Sequence, residues 1–367
     1  MPGRILVSAG GTGGHLFPAQ ALAGELKQRG WRVDLATDHR ATHYGGDFPA
    51  ETTHIIPSGT PSSRNPIVVL SSLVKLGIGT VRALGILRKD RPDAVVGFGG
   101  YPTVPPLVAG WLTGCPTILH EQNAVMGRAN AFLSRFCRKV ALSFEATRAP
   151  ERVRAKAVVC GNPVRDAVQH AATWPFEPIG EGGEIRILIF GGSQGARFFS
   201  DILPDSVALL PDALRARIEI VQQCRPEDLS RVTKAYAALA TPVELAAFFS
   251  DMPHRIARSH LMIARAGAST IGELAVIGRP AILVPLPGAI DQDQKANGAV
   301  LEQAGGAVML DQADITPAVL AETIAEFLGD PDSLAARAEA ARGAGRPDAV
   351  SRLADLVEAE ARANGRT

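Results

Sequence analysis

The residues best suited to chemistry in this 367-residue chain are gathered in glycine-rich turns. GGTGGH (Gly10 to His15) closes the first apolar run. Its glycines let the backbone approach an anion, and the helix that follows presents unpaired amides at its start. The turn is not a P-loop, since no Lys-Ser/Thr follows, and Leu16 stands where a GxGxxG motif needs its third glycine. Asp38, at the end of the next strand, has the place of a ribose-binding acid. GGSQGAR (Gly191 to Arg197) repeats the arrangement and adds the Ser193 hydroxyl and the Arg197 guanidinium, and GFGGYPT (Gly97 to Thr103) is a third such turn. Any one of them serves equally well as a tight strand-to-helix turn. Two, facing each other across a hinge, suit a diphosphate ligand.

Three further segments carry polar groups at strand ends. HEQNAVMGRAN (His120 to Asn130) places a His, a Glu, a Gln and an Asn in succession at the carboxyl edge of a strand, where open α/β sheets bind ligands. His15 beside a helix start is biased toward the neutral imidazole that a general base requires, and Glu121 is the other candidate base. In RAGASTIGE (Arg265 to Glu273), Thr270 and Glu273 have the spacing of a capping box, while a carboxylate at Glu273 also suits two vicinal ribose hydroxyls. PLPGAIDQDQKANG (Pro285 to Gly298) holds Asp291 and Asp293 in a DxD spacing. They open a helix, where the dipole favours acids, so no metal site is assigned to them. Gln292, Gln294 and Asn297 are better suited to sugar hydroxyls.

The elements that must position these turns follow from the hydrophobic pattern. RILVSA, a helix over about 17–29, WRVDLAT, DAVVGF, PTILHE and KVALSF alternate as in βαβ units, and IRILIF, RIEIVQQ, PVELAAFF, HLMIAR and PAILVPL repeat the rhythm. The expected fold is α/β, with two Rossmann-like doubly wound parallel sheets facing a cleft. RILVSAGGTGG and RILIFGGSQG open the two halves alike, and a hinge is expected near GNPVRD (Gly161 to Asp166). The expected domains are 1–162 and 163–342, with a helix over about 343–367 packing back on the first. The uncharged stretch from Ala94 to Leu119 is interrupted by Pro102, Pro105, Pro106 and Pro116, and reads as strand, glycine loop, short helix and strand rather than a membrane span.

Composition bounds the partners. Hydrophobic residues make up 46% and charged residues 20%, so a large core is available and general disorder is excluded. A net charge of +1 argues against a nucleic-acid partner. The four cysteines (Cys115, Cys137, Cys160, Cys224) are far apart with no CxxC pair, which fits cytosolic thiols rather than zinc. The opening residues run straight into a strand pattern, so no signal peptide is expected. The segment from Pro66 to Pro92 is mostly apolar, with Lys75, Arg82 and Lys89 on one helical stripe joined by Arg88 and Arg91. That layout suits anionic lipid, although a crossover helix on the sheet has the same pattern, and LGIG allows a break into two helices.

Taken in order, GGTGGH, GFGGYPT, HEQNAVMGRAN, GNPVR, FGGSQGA, RAGASTIGE and DQDQKAN closely resemble the MurG family, over nearly the whole chain. The resemblance implies a GT-B glycosyltransferase of peptidoglycan synthesis and cell-wall biogenesis, without cofactor or metal. It would transfer N-acetylglucosamine from UDP-N-acetylglucosamine, with inversion, to the C4 hydroxyl of undecaprenyl-diphospho-N-acetylmuramoyl-pentapeptide, at the cytoplasmic face of the inner membrane. The residues carried over are Thr12, Gly13, Gly14, Asn123, Arg165, Ser193 and Gln294 for the donor, Glu273 for its ribose, and backbone around Phe249 and Ala268 for the uracil. The acceptor diphosphate would meet the first-lobe glycine loops, and the apolar, basic segment would rest on anionic inner-leaflet lipid. Asp293, the RAGAST sequence and Phe249 depart from the usual pattern. A sugar-nucleotide epimerase or a non-catalytic binding module would share the donor pocket.

Overall fold

Thirteen short strands build two all-parallel sheets in the computed structural model, which describes residues 3–39, 48–61, 65–192, 195–288 and 292–363. The first sheet contains β1 (Arg4–Ser8), β2 (Arg32–Thr37), β3 (Thr52–Ile55), β4 (Ala94–Gly97), β5 (Thr117–Glu121), β6 (Lys139–Leu142) and β7 (Ala157–Val159). The second contains β8 (Ile185–Phe190), β9 (Ile218–Gln223), β10 (Val243–Ala246), β11 (Leu261–Ala264), β12 (Ala281–Leu283) and β13 (Ala307–Met309). Their orders are β3-β2-β1-β4-β5-β6-β7 and β10-β9-β8-β11-β12-β13. Each sheet therefore reverses direction beside its own first strand, between β1 and β4 and between β8 and β11. In open α/β sheets this switch point is where the crevice for a ligand opens.

The central strands β1 and β8 read as nearly unbroken apolar runs because both faces are covered. In β1, Ile5 and Val7 pack against Leu16, Ala19, Leu22 and Leu26 of the Gly13–Gln28 helix. Leu6 points the other way, to Ala36, Ala83, Leu87 and Leu107. The second sheet repeats this with Ile187 and Ile189 against Phe199, Leu203 and Val207 of the Arg197–Ala208 helix. Burial on both faces is the condition that removes the polar alternation of a one-sided sheet.

The chain divides into two compact units, Met1–Arg165 with Pro347–Thr367, and Asp166–Arg346. The Ala349–Arg362 helix lies on the first unit. Its Leu353, Ala354, Val357 and Ala361 join the core beneath the Gly13–Gln28 helix. Arg29 donates to Asp355 at 2.6 Å and Ser351 at 2.8 Å, and Trp31 Nε1 to Glu358 at 2.7 Å.

Two helices differ from the sequence expectation. The first begins at Gly13 rather than near Phe17, so the glycine turn is the helix's opening turn, with Thr12 as N-cap. The segment Pro66–Asp90 is one unbroken helix, despite Gly77 and Gly79. Gly79 is spent on packing: a Cβ there would lie 2.2 Å from the Pro57 carbonyl.

Candidate active site

The first-unit turns meet at the carboxyl edge of the sheet because β1 and β4 are neighbours. An added Cβ at Gly10 would touch Pro102 at 3.6 Å and the Gly99 carbonyl at 3.7 Å. Gly99 and Gly100 have φ of 89° and 75°, a region that side chains disfavour. A Cβ on Gly99 would also stand 2.9 Å from Asn130 Nδ2 and 3.1 Å from His15 Cδ2. The imidazole of His15 thus lies against the second glycine turn, half-buried. Thr12, Gly13 and Gly14 form the helix start, where the first-turn amides have no partner within the helix. The Thr12 hydroxyl makes no cap bond. It lies 2.9 Å from His15 Nδ1 instead.

The third element is the segment after β5, and it is held from inside. Glu121 is 1% exposed, and its carboxylate accepts from Asn123 N at 2.9 Å, Asn123 Nδ2 at 3.2 Å, Gly127 N at 3.1 Å and Asn130 Nδ2 at 2.8 Å. Burial pushes this carboxyl above the usual carboxylate range, and the four N–H donors oppose that shift. His120 is fully enclosed. Its Nε2 lies 3.0 Å from the Gly161 carbonyl and its Nδ1 3.1 Å from Gln122 Nε2, which fixes the tautomer with the proton on Nε2. Burial lowers its pKa to about 4. Through Gly161 it ties β5 to GNPVR, where the Arg165 guanidinium stacks 4.0 Å above the Phe17 ring. Gln122 also donates to the Phe98 carbonyl at 2.9 Å, joining the turn after β4 to the segment after β5.

In the second unit the turn after β8 is again built on close approach. A Cβ on Gly191 would lie 2.2 Å from Ala196 N, and Gly195 N donates to the Gly192 carbonyl at 3.0 Å. Ser193 lies outside the described residues, as does Asp291. Ala268 is the first residue of the Ala268–Ile277 helix, whose N-cap is Gly267. Thr270 therefore falls in the first turn and Glu273 in the second, and no capping box forms. Glu273 is half-buried. The Phe249 ring is buried under the Arg255 guanidinium at 4.3 Å, while Phe248 beside it is exposed.

The Asp293–Ala304 helix bears on two sequence readings, the first as expected and the second corrected. Asp293 Oδ1 accepts from Gln294 N at 3.0 Å, so this acid serves the helix start. Asn297 is fully buried and donates to the Ala266 carbonyl at 3.3 Å, which makes it a tie to the turn after β11 rather than a reader of sugar hydroxyls. Gln294 remains half-buried, its Oε1 accepting from Leu286 N at 3.0 Å. Two further positioning residues escaped the sequence reading. Gln223 Oε1 accepts from Gly191 N at 3.1 Å, and Arg265 donates to the carbonyls of Val284 at 3.0 Å and Pro285 at 3.2 Å. Their signal was a polar residue closing an otherwise apolar strand.

Two Rossmann sheets in one chain, each with a glycine turn at its switch point, are the architecture of the glycosyltransferase class to which the family models assign the chain. The models for the glycosyltransferase family 28 N-terminal and C-terminal domains match residues 5–142 and 186–353. A Methylobacterium nodulans protein named UDP-N-acetylglucosamine–N-acetylmuramyl-(pentapeptide) pyrophosphoryl-undecaprenol N-acetylglucosamine transferase is 55% identical over 96% of this chain and 95% of its own. The crystal structure of Acinetobacter baumannii MurG matches with a TM-score of 0.78 and 30% identity, covering 98% of this chain and 100% of the other. The chain belongs to the MurG family of glycosyltransferases. The fold by itself is wider than that family. A Neisseria meningitidis UDP-GlcNAc 2-epimerase has a TM-score of 0.69 at only 13% identity, covering 97% of this chain and 100% of the other.

Proposed function

We propose that this protein transfers N-acetylglucosamine from UDP-N-acetylglucosamine to the C4 hydroxyl of undecaprenyl-diphospho-N-acetylmuramoyl-pentapeptide, inverting the anomeric carbon and releasing UDP. The likeness to the Methylobacterium nodulans transferase, across both sheets and all of the turns, carries this reading. The second unit takes the donor, with Glu273 on the ribose, backbone near Phe249 and Ala268 at the uracil, and Ser193 and Gln294 on the diphosphate-sugar. The first unit takes the acceptor diphosphate at its glycine turns, and supplies Thr12, Gly13, Gly14, Asn123 and Arg165 toward the reacting sugar.

The chemistry asks for a base and for a sink of negative charge. Of the two candidates, His15 is the better base. Its imidazole reaches the surface, whereas the Glu121 carboxylate is enclosed and accepts four hydrogen bonds from the segment it supports. If Nδ1–H donates to the Thr12 hydroxyl, Nε2 is the nitrogen that takes the acceptor proton. As UDP departs, helix-start amides and Arg165 stabilise the growing charge without a metal.

The acceptor's lipid sets the location, which we place at the cytoplasmic face of the inner membrane. The Pro66–Asp90 helix is long and apolar enough to cross a bilayer. Its Ser72, Gly79, Ala83 and Leu87 face is nevertheless packed into the first unit. The outward stripe runs through Ile67, Leu70, Val74, Ile78 and Val81 at i, i+3, i+4 spacing, flanked by exposed Lys75 and Arg82. Ile67 is 75% exposed and Val81 70%. Such a helix lies on anionic lipid rather than through it. Exposed Trp111, on the helix packed beside it, suits the headgroup level.

The deciding experiment measures UDP release with and without the lipid-linked muramoyl-pentapeptide, with EDTA present throughout. Release that requires acceptor supports the transferase. An isomer formed from UDP-N-acetylglucosamine alone would assign the chain to the epimerases, and binding without turnover would leave a sugar-nucleotide binding module.

A further inference from the structure

Beside the outer strands β2 and β3 of the first sheet, a group of side chains has no part in this chemistry. Asp34 lies on β2 and His54 on β3. The parallel registers Asp34↔Thr52 and Ala36↔His54 put both on the same face of the sheet. Asp90 ends the Pro66–Asp90 helix, which covers that face. One donor atom from each of the three lies within 4.8 Å of the other two.

We propose that Asp34, His54 and Asp90 form a zinc site that pins the carboxyl end of this helix to β2 and β3. Three observations point to a bound cation. First, Asp34 is 2% exposed, and Arg4 engages only its Oδ2; Oδ1 is buried without a hydrogen-bond partner. Second, His54 Nε2 is likewise buried with no hydrogen-bond partner, and stands 3.8 Å from Asp90 Oδ2. That gap is too long for a hydrogen bond, yet two ligands about 2.1 Å from one zinc ion lie roughly 3.4 to 3.8 Å apart. Third, the charge is unbalanced. Four carboxylates stand against two guanidiniums: Arg4 faces Asp34, Glu51 at 3.5 Å, and Asp93, whose Oδ2 accepts from the Arg4 amide, with Asp90 close by, and Arg32 is the register partner of Arg4 on the same face. The side chains of Lys89 and Arg91, beside Asp90 in sequence, are exposed. An aspartate at a helix carboxyl terminus also opposes the helix dipole, which a cation would satisfy. One nitrogen and two carboxylate donors, with water as the fourth ligand, form a zinc set.

The test uses the full chain, stripped with EDTA and dialysed, titrated with zinc by calorimetry and by melting. The expected result is a single saturable equivalent that raises the melting midpoint and is lost in both His54→Gln and Asp90→Asn. Both side chains are partly exposed, so the variants should fold. GlcNAc transfer should stay within about twofold in EDTA, because none of the three residues is assigned to the donor or the acceptor. X-ray absorption of the zinc-loaded wild type should show a light-atom shell with one imidazole, a readout that needs no variant. No stoichiometric uptake, uptake that survives both substitutions, or a sulfur shell would overturn the site.

Discussion

The Thr12 hydroxyl lies 2.9 Å from His15 Nδ1, and on the proposed mechanism each residue should fail in its own way. His15→Ala removes the proposed base and should lower kcat by about 100-fold or more with little change in stability. Thr12→Val keeps the shape of the turn but removes the 2.9 Å contact to His15 Nδ1, so kcat should fall about tenfold while KM for the donor stays within a factor of a few. The pH profile of turnover checks both, since the low-pH limb, where the base becomes protonated, should vary with His15 and not with Glu121. Glu121→Gln puts an amide NH2 among four N–H donors, and should cost about 1 to 3 kcal/mol of stability in urea melts. A Glu121→Gln protein of wild-type stability that had lost the low-pH limb would reverse the two roles. His120 carries a separate pH effect. Its pKa is about 4 in the fold against 6.5 when free, so between those values the unfolded chain binds a proton that the fold refuses. Its contribution is complete above pH 6.5 and is lost toward pH 4, on the order of 3 kcal/mol. Urea midpoints should therefore fall across that window in the wild type, and the fall should be shallower in His120→Gln.

At the scale of elements, the outward stripe of the Pro66–Asp90 helix makes the sharpest prediction. Replacing Ile67, Leu70 and Val81 together by Gln exposes no new core, because all three already face water. Stability should hold within about 0.5 kcal/mol per site. Sedimentation with anionic vesicles should nevertheless be lost, while UDP release with a short-chain soluble acceptor persists. Vesicle binding unchanged by the triple substitution would remove this surface from the membrane. The elements also show what the sequence could reveal. Ten strands were legible as apolar runs; nine are inner strands, and the tenth, β10, is an edge strand whose apolar run continues through Ala247, Phe248 and Phe249. The three it did not show, β3, β7 and β13, are all edge strands of three or four residues, half-exposed and lacking that pattern. The turns were legible from glycine spacing alone. The groups that hold them, Gln223, Arg265 and buried Asn297, bond to backbone carbonyls and amides far away in sequence, and no local spacing encodes such a partner.

For the whole molecule, the decisive fact is that the first unit is built from both ends of the chain. The Ala349–Arg362 helix gives that unit Leu353 and Val357, both fully buried, each worth about 1.5 to 3 kcal/mol of apolar burial. It also ends the side-chain hydrogen bonds of Arg29 and Trp31. Removing residues 347–367 should therefore destabilise the first unit by several kcal/mol and leave the core of the second, which contains none of these residues, as it was. Unfolding should separate into two transitions. Trp31 and Trp111 report on the first unit and Trp174 on the second, so a Trp31→Phe, Trp111→Phe protein follows the second unit alone by fluorescence, and calorimetry records both. The earlier transition should belong to the first unit, and UDP affinity should survive at temperatures where acceptor-dependent UDP release has already been lost. A truncated chain that melts in one unshifted step would show that the tail helix adds nothing to the unit it covers.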